Sequence, residues 1–482
     1  MTTGGTTDEA SGSPPHDPSP APLAPRKPPK PPRPFRPPWR DLLPVLRLFS
    51  RDLLGGLVYV RDKYGDFVRT RLPLQLYFVY DPRVIEEILV KKADAFRKER
   101  TSRLLSRVVG NGLLLSEGET WRRQRRLVQP AFHHQQLQSY AALMTGAIAR
   151  AMGGWRGGEV RDVHADMMGV TLDIVAQSLF GADVSAAAGD IGHIIGDLME
   201  QFGRVVGLTV RFLPPAWVPT PSNLRMRRTR RKLDALILGI IEARKREARE
   251  RSQETRDDLL SLLIHARDEA GGQMTDTQVR DEAVILFLAG HETTALALTY
   301  SLYLLATHPE QQKRLAGELA RVLGGRTPGL GDLDKLAVTE EVVLESMRLY
   351  PPAWGIAREA LKPVEIGGYA FPKGAEFVMS TWAVHRDGRT FEDPTAFKPE
   401  RWQGDLQRRL PRFAYFPFGG GPRVCIGNRF AMMEAKLVLA SAVQRFRFEA
   451  TPETEVRLFP SVTLRPRNGV RLRIAERASP VG

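Results

Sequence analysis

Phe418-Gly419-Gly420-Gly421-Pro422-Arg423-Val424-Cys425-Ile426-Gly427 decides how this chain is read, because it holds the only cysteine among 482 residues. A lone cysteine is usually a small buried hydrophobe. Here three glycines precede it, and glycine lets a backbone pass close to a flat ligand without a Cβ clash. Residues 428–443 then read as a helix rich in Ala, Met and Leu. A helix N-terminus near the sulfur, with Arg423 two residues before it, is expected to stabilise a thiolate. The stretch therefore reads as a single sulfur ligand presented to the metal of a flat macrocycle.

Working outward, Ala289-Gly290-His291-Glu292-Thr293-Thr294 lies in the middle of a long apolar helix. That helix has a capping box at its start, Thr275-Asp276-Thr277-Gln278, and runs to about Thr307, where His308-Pro309-Glu310 opens the next. Glycine inside a helix costs about 1 kcal/mol relative to alanine, and threonine can bond back to a carbonyl one turn earlier. An acid and a hydroxyl thus sit beside a weakened turn. Glu345 and Arg348 are one helical turn apart, and Phe397-Lys398-Pro399-Glu400-Arg401-Trp402 follows some fifty residues later. Trp121 and Arg125 share a helix face by their spacing of four.

These segments occur in the order found in the cytochrome P450 monooxygenases, and the decapeptide closely resembles that family's haem loop, Phe-x-x-Gly-x-Arg-x-Cys-x-Gly, at every fixed position. The resemblance covers about residues 45–478. It implies a mainly α fold with small β-sheets and haem b with Cys425 as the proximal iron ligand. Phe418, Gly419, Gly427, Ala289 and Gly290 would lie against the macrocycle. Trp121, Arg125, Arg358 and Arg423 would hold its propionates, with Arg122, Arg123 and Arg126 facing solvent or a redox partner. Glu292 is implied as proton-relay acid, Thr293 as the oxygen-stabilising hydroxyl, and Gly290 as room for dioxygen. His291 falls at a variable family position and Thr294 reads as structural. Glu345, Arg348 and Arg401 would form a buried network supporting the haem loop. Trp402 departs from the family's frequent Phe there.

The implied reaction is hydroxylation or epoxidation of a hydrophobic small molecule by dioxygen. Fatty acids, terpenoids and related lipids or secondary metabolites are the expected class. The pocket is expected from the 100–115 loop, residues near 205–220, Phe287 and Ala289, residues 354–357, and Ser461-Val462. A single cysteine cannot hold an iron–sulfur cluster and no flavin segment follows, so NAD(P)H would act indirectly, through an acidic ferredoxin or flavodoxin and its reductase. Two other readings stay open: a haem-thiolate peroxygenase, dehydratase or isomerase, and a non-enzymatic haem-based sensor. Retention of Glu292 and Thr293 speaks against the first, and the lack of an output segment against the second.

Composition sets the frame. The chain is 42% hydrophobic, enough for a large core, and carries a net charge of +15. Thirteen of residues 1–40 are proline and almost none is aliphatic, so this stretch is read as a disordered tail with polyproline character. The globular domain is expected over 41–482. Removing the tail leaves +12, so the basic character belongs to the domain. Its sign alone fits a nucleic-acid or membrane surface as well as an acidic protein partner, and the family resemblance implies the last. The densest basic run, Arg225–Lys232, reads as a solvated helix face or a peripheral contact for anionic lipid. No aromatic spacing suited to stacking bases is present, which argues against nucleic acid. One cysteine, no secretory signal and no apolar run near 18–20 residues point to a soluble, cytoplasmic monomer.

Overall fold

The computed structural model describes residues 34–70, 75–181, 217–250, 258–269 and 271–477, with residues 1, 189 and 190 and four positions between 192 and 197. Its axis is the helix Asp276–Thr307, referred to below as the central helix. Thr275 caps it as expected: Gln278 N donates to Thr275 Oγ1 (3.2 Å), and Thr275 N donates to Gln278 Oε1 (2.9 Å). Two orphan amides are thereby satisfied. Among the described residues this is the one helix long and apolar enough to cross a bilayer, yet 83% of its most apolar window is buried inside the protein. It is a core helix.

The helices Ala337–Leu349 and Asn428–Arg445 pack against it, as do Val163–Phe180 and Pro221–Glu250. The largest apolar cluster lies among these, around Leu298, Leu302, Met347 and Leu437. A second cluster, around Val109, Val175, Ile237 and Val284, covers the N-terminal half of the central helix.

The strands are short: β1 (Phe67–Arg69), β2 (Leu76–Val79), β3 (Phe96–Arg97), β4 (Val160–Asp162), β5 (Ile356–Ala360), β6 (Val364–Ile366), β7 (Tyr369–Phe371), β8 (Glu376–Met379), β9 (Phe446–Ala450), β10 (Leu458–Pro460), β11 (Leu464–Pro466) and β12 (Arg471–Glu476). The main sheet has the order β1-β2-β8-β5-β3. Its registers include Phe67 opposite Val79, Leu76 opposite Glu376 in the one parallel pairing, and Phe96 opposite Ala360. β10 and β11 form a separate hairpin, and β4-β12-β9 a small third sheet. The mainly α architecture with small sheets is the expected one.

The expected domain boundary is too late. Phe35 N donates to Phe67 O (3.1 Å), Arg69 N donates to Phe35 O (2.9 Å), and the Phe35 ring stacks on Tyr64 with centroids 5.6 Å apart. The domain therefore takes in Pro34 and Phe35; residues 2–33 of the proline-rich stretch lie outside the described residues. β9, which the sequence pattern hides behind the end of the preceding helix, is also part of the domain.

Candidate functional site

The cysteine loop is closed by its own backbone. Cys425 N donates to Phe418 O (3.0 Å), Gly419 N to Phe416 O (2.9 Å) and Val424 N to Gly421 O (3.1 Å). Two glycines also serve packing between elements. Gly421 (φ +68°) sits where an added Cβ would overlap the Leu89 carbonyl oxygen. Its lack of a side chain serves packing on the helical segment Glu87–Lys91. Gly290 lines the cavity, but its Cβ direction points at Val175, 3.0 Å away. Glycine there lets the central helix and Val163–Phe180 approach each other.

The Cys425 side chain opens into a cavity of about 350 Å³. Phe418, Gly419 and Gly427 line the same cavity, as do Ala289, Gly290, Thr293 and Thr294 of the central helix. The deep surroundings push the Cys425 thiol up from its ordinary value, against the pull of the Gly427 backbone and the Arg125 charge. Burial outweighs the helix terminus, and the nearby cation is Arg125, not Arg423. A coordinating metal would itself remove the proton.

Cations gather along one edge of the cavity. Arg125 Nη1 donates to Val424 O (2.9 Å). Arg423 lies over the Trp121 ring at 4.5 Å, donates to Ser116 O (2.8 Å) and pairs with Glu117. Its other terminal nitrogen, Nη1, is buried with no partner. Arg358 is buried and donates to its neighbour's carbonyl (2.9 Å). Burial lowers the pKa of both guanidinium groups, that of Arg423 to about 10. Lys98, which sequence reading missed, lines the same edge. Its amide is held by Glu117 (2.7 Å), and its amine is pushed down to about 7 by burial and then by the Arg358 charge. Nothing in the local sequence marks Lys98 apart from its lying ahead of Trp121. A buried orphaned guanidinium nitrogen and a desolvated lysine at one cavity edge are what a group bearing two carboxylates would satisfy. The residues present fit a haem.

Arg122, Arg123 and Arg126 instead pair outward, with Asp94 (3.1 Å), Asp268 (2.6 Å) and Glu269 (2.7 Å). On the central helix, Thr293 Oγ1 donates to Ala289 O (2.7 Å). Glu292 does not line the cavity. It is 1% exposed and bonded to Thr463, with Arg465 Nε donating to it at 2.5 Å; both partners come from the β10–β11 hairpin segment. Burial pulls its carboxyl up, but Arg465 and Thr463 more than offset this and hold it below the ordinary range. His291 is buried, off the cavity wall, and packed beside Phe287.

The rest of the wall is apolar and includes Leu113, Leu114, Ile285, Val343 and Ile356. Phe287 faces Phe180 (5.5 Å), and neither it nor Ser461 nor Val462 reaches the cavity. Trp354 Nε1 donates to Ser461 O (2.9 Å), tying that segment to the hairpin instead. Residues 205–216 lie outside the described residues. The supporting network is fully formed: Glu345 accepts from Arg348 Nε (2.9 Å) and Nη2 (2.8 Å), Arg401 Nε (2.9 Å), Lys398 N (3.1 Å) and Trp402 Nε1 (2.9 Å).

Fold and site together define a helical protein that turns one sulfur toward a deep apolar cavity edged with cations. Residues 31–472 match the family model described as Cytochrome P450. Cyclooctatin synthase of Streptomyces melanosporofaciens is 35% identical over 404 residues, spanning 83% of this chain and 87% of that protein. Pentalenene oxygenase of Streptomyces avermitilis is 34% identical over 424 residues, spanning 86% and 91%. Cyclooctat-9-en-7-ol 5-monooxygenase of Streptomyces melanosporofaciens is 33% identical, spanning 81% and 84%. The chain belongs to the cytochrome P450 family and is a monooxygenase.

Proposed function

We propose that this monooxygenase hydroxylates a terpenoid hydrocarbon or a similarly apolar lipid. One observation carries the reading: a cavity walled mainly by aliphatic side chains, with Cys425, Ala289 and Thr293 all in its lining. Relatives named for pentalenene and cyclooctatin support the terpenoid class.

Cys425 would hold the haem iron. Lys98, Arg358 and Arg423, with Trp121 and Arg125, would hold the propionates, while Phe418, Gly419, Gly427, Ala289 and Gly290 would flank the ring. When bound, haem supplies the iron centre at which dioxygen is activated. Thr293 uses its hydrogen on the Ala289 carbonyl, so its oxygen lone pairs remain to accept and orient a proton at the cavity face. Glu292 stands behind it as a charged reserve, and its pairing with Arg465 must loosen before it can pass a proton forward. The aliphatic wall excludes water and orients an apolar substrate by shape. Electrons would come from a separate acidic ferredoxin or flavodoxin with its NAD(P)H-dependent reductase. Exposed arginines such as Arg122 and Arg412 support docking of such a carrier.

The test is to load the protein with haem, reduce it, add carbon monoxide, and then titrate the oxidised form with terpenes, fatty acids and steroids. The expected result is the red-shifted Soret band of a thiolate-ligated haem and a spin-state shift with terpenes at the lowest concentrations. The same band in Cys425→Ser would overturn the ligand assignment. Shifts with fatty acids but not with terpenes would overturn the substrate class.

A further inference from the structure

Three consecutive side chains at the start of the central helix grip alternate residues of the loop that roofs the cavity. Arg280 Nη1 donates to Val109 O (3.0 Å), Asn111 N donates to Asp281 Oδ2 (2.7 Å), and Leu113 N donates to Glu282 Oε2 (2.9 Å). All three are buried, at 3%, 8% and 0% exposure. Arg280 also pairs with Asp281 (2.9 Å) and with Asp234 on the helix Pro221–Glu250. The loop, that helix and the central helix thus meet at one guanidinium. Leu113 itself and its neighbour Leu114 line the cavity.

The placement is not that of an ordinary stabilising contact. Charged groups this buried carry a desolvation cost that apolar packing of the same loop would avoid. Burial shows directly at Glu282, whose carboxyl is pushed up to about 8 against the pull of the Leu113 amide. What these polar groups add is direction, because each fixes one backbone group. Glu282, Leu286, Ala289 and Thr293 fall at i, i+4, i+7 and i+11, which is one face of a helix. The rigid helix therefore sets the loop's height above the same stripe that carries Thr293, across about 16 Å of helix rise.

We propose that Arg280, Asp281 and Glu282 are positioning residues that clip the Val109–Leu114 loop to the central helix, so that Leu113 and Leu114 select which substrate shapes reach the reacting face. The proposal rests on the haem-thiolate reading above.

The test uses haem-loaded protein and two iron-binding probes, imidazole, too small to reach the roof, and the bulky clotrimazole. In Glu282→Leu, which keeps bulk but removes the acceptor, imidazole affinity is expected to stay within about twofold of wild type. Clotrimazole affinity is expected to change by about tenfold or more, and Glu282→Gln, which keeps an acceptor, should restore it. Equal clotrimazole affinity in wild type and Glu282→Leu would overturn the clip, as would parallel changes for both probes, which mark general loosening. If Glu282→Leu fails to accumulate, Asp281→Ser tests the same clip at Asn111. Amide hydrogen exchange on the full-length protein as purified gives a second reading. Leu113 should exchange at least about tenfold faster in Glu282→Leu with the rest of the helix unchanged, and an unchanged Leu113 rate would overturn the proposal. Absence of any azole shift in wild type would fail the haem-thiolate reading instead, leaving the exchange measurement to decide the clip.

Discussion

Glu345 is the side chain whose loss should cost most for the fewest atoms changed. Its two oxygens are fully buried and take five donors: three on Oε1 and two on Oε2, from Arg348 and Trp402. Trp402→Phe removes one donor and leaves four. A hydrogen bond to a charged group is worth about 1.5–3 kcal/mol, and the low end applies because the carboxylate stays well bonded. Glu345→Gln keeps one oxygen but turns an NH2 toward two N–H donors. It also leaves Arg348, at 0% exposure, without its counter-charge, and breaking a buried pair costs about 3–5 kcal/mol. Those partners hold more than each other. Arg348 Nη1 donates to His385 O (2.9 Å) and Pro394 O (2.7 Å), and Tyr415 OH reaches Leu344 O (2.9 Å) just before the cysteine loop. Large cofactor proteins unfold irreversibly, so the assay is an unfolding rate in urea, followed by the thiolate-type Soret band of the reduced carbon monoxide complex. If the network forms late in folding, the rate should rise about tenfold in Trp402→Phe and about a hundredfold or more in Glu345→Gln. A Glu345→Gln protein that unfolds no faster than Trp402→Phe would refute the reasoning, because it would mean that Arg348 does not depend on that charge.

Three further outcomes follow from the site. Arg465→Met leaves Glu292 buried with only Thr463, and should cost about 3 kcal/mol in urea unfolding; adding Glu292→Gln should recover most of it. Because the folded Glu292 carboxyl lies below the ordinary range, its contribution is complete above about pH 4.3 and is lost as pH falls through the depressed value, so the stability gap between wild type and Glu292→Gln should close on acidification. Lys98, pushed down to about 7, should regain its proton on meeting a propionate. Haem affinity should therefore fall as pH rises above 7 in wild type and stay flat there in Lys98→Gln, and matching profiles would remove Lys98 from the haem edge. Thr293→Ala should lower product formed per NADPH severalfold with substrate binding kept, and full coupling in that variant would take Thr293 out of proton delivery.

How much of this was readable beforehand depends on distance along the chain and on burial. The cysteine loop, the capped central helix and the Glu345–Arg348 pair are local patterns, so their residue types and spacings specify them without a fold. Arg401 joins Glu345 across 56 positions and was found only because a second local pattern marked it. Where no such pattern exists, the sequence is silent. Arg465 reaches Glu292 across 173 positions, and Leu113 reaches Glu282 across 169; a chain with 70 basic residues offers no reason to single out one arginine or one lysine such as Lys98. Burial was the other hidden variable. Charge and helix polarity around Cys425 both argue for a ready thiolate, while the enclosing walls pull the thiol the other way, and those walls exist only once the fold is assembled. The same holds for Gly290 and Gly421, whose residue type was a correct signal of close approach. What approaches is Val175 in one case and Leu89 in the other, so a glycine reports that space is short without saying whose atoms fill it.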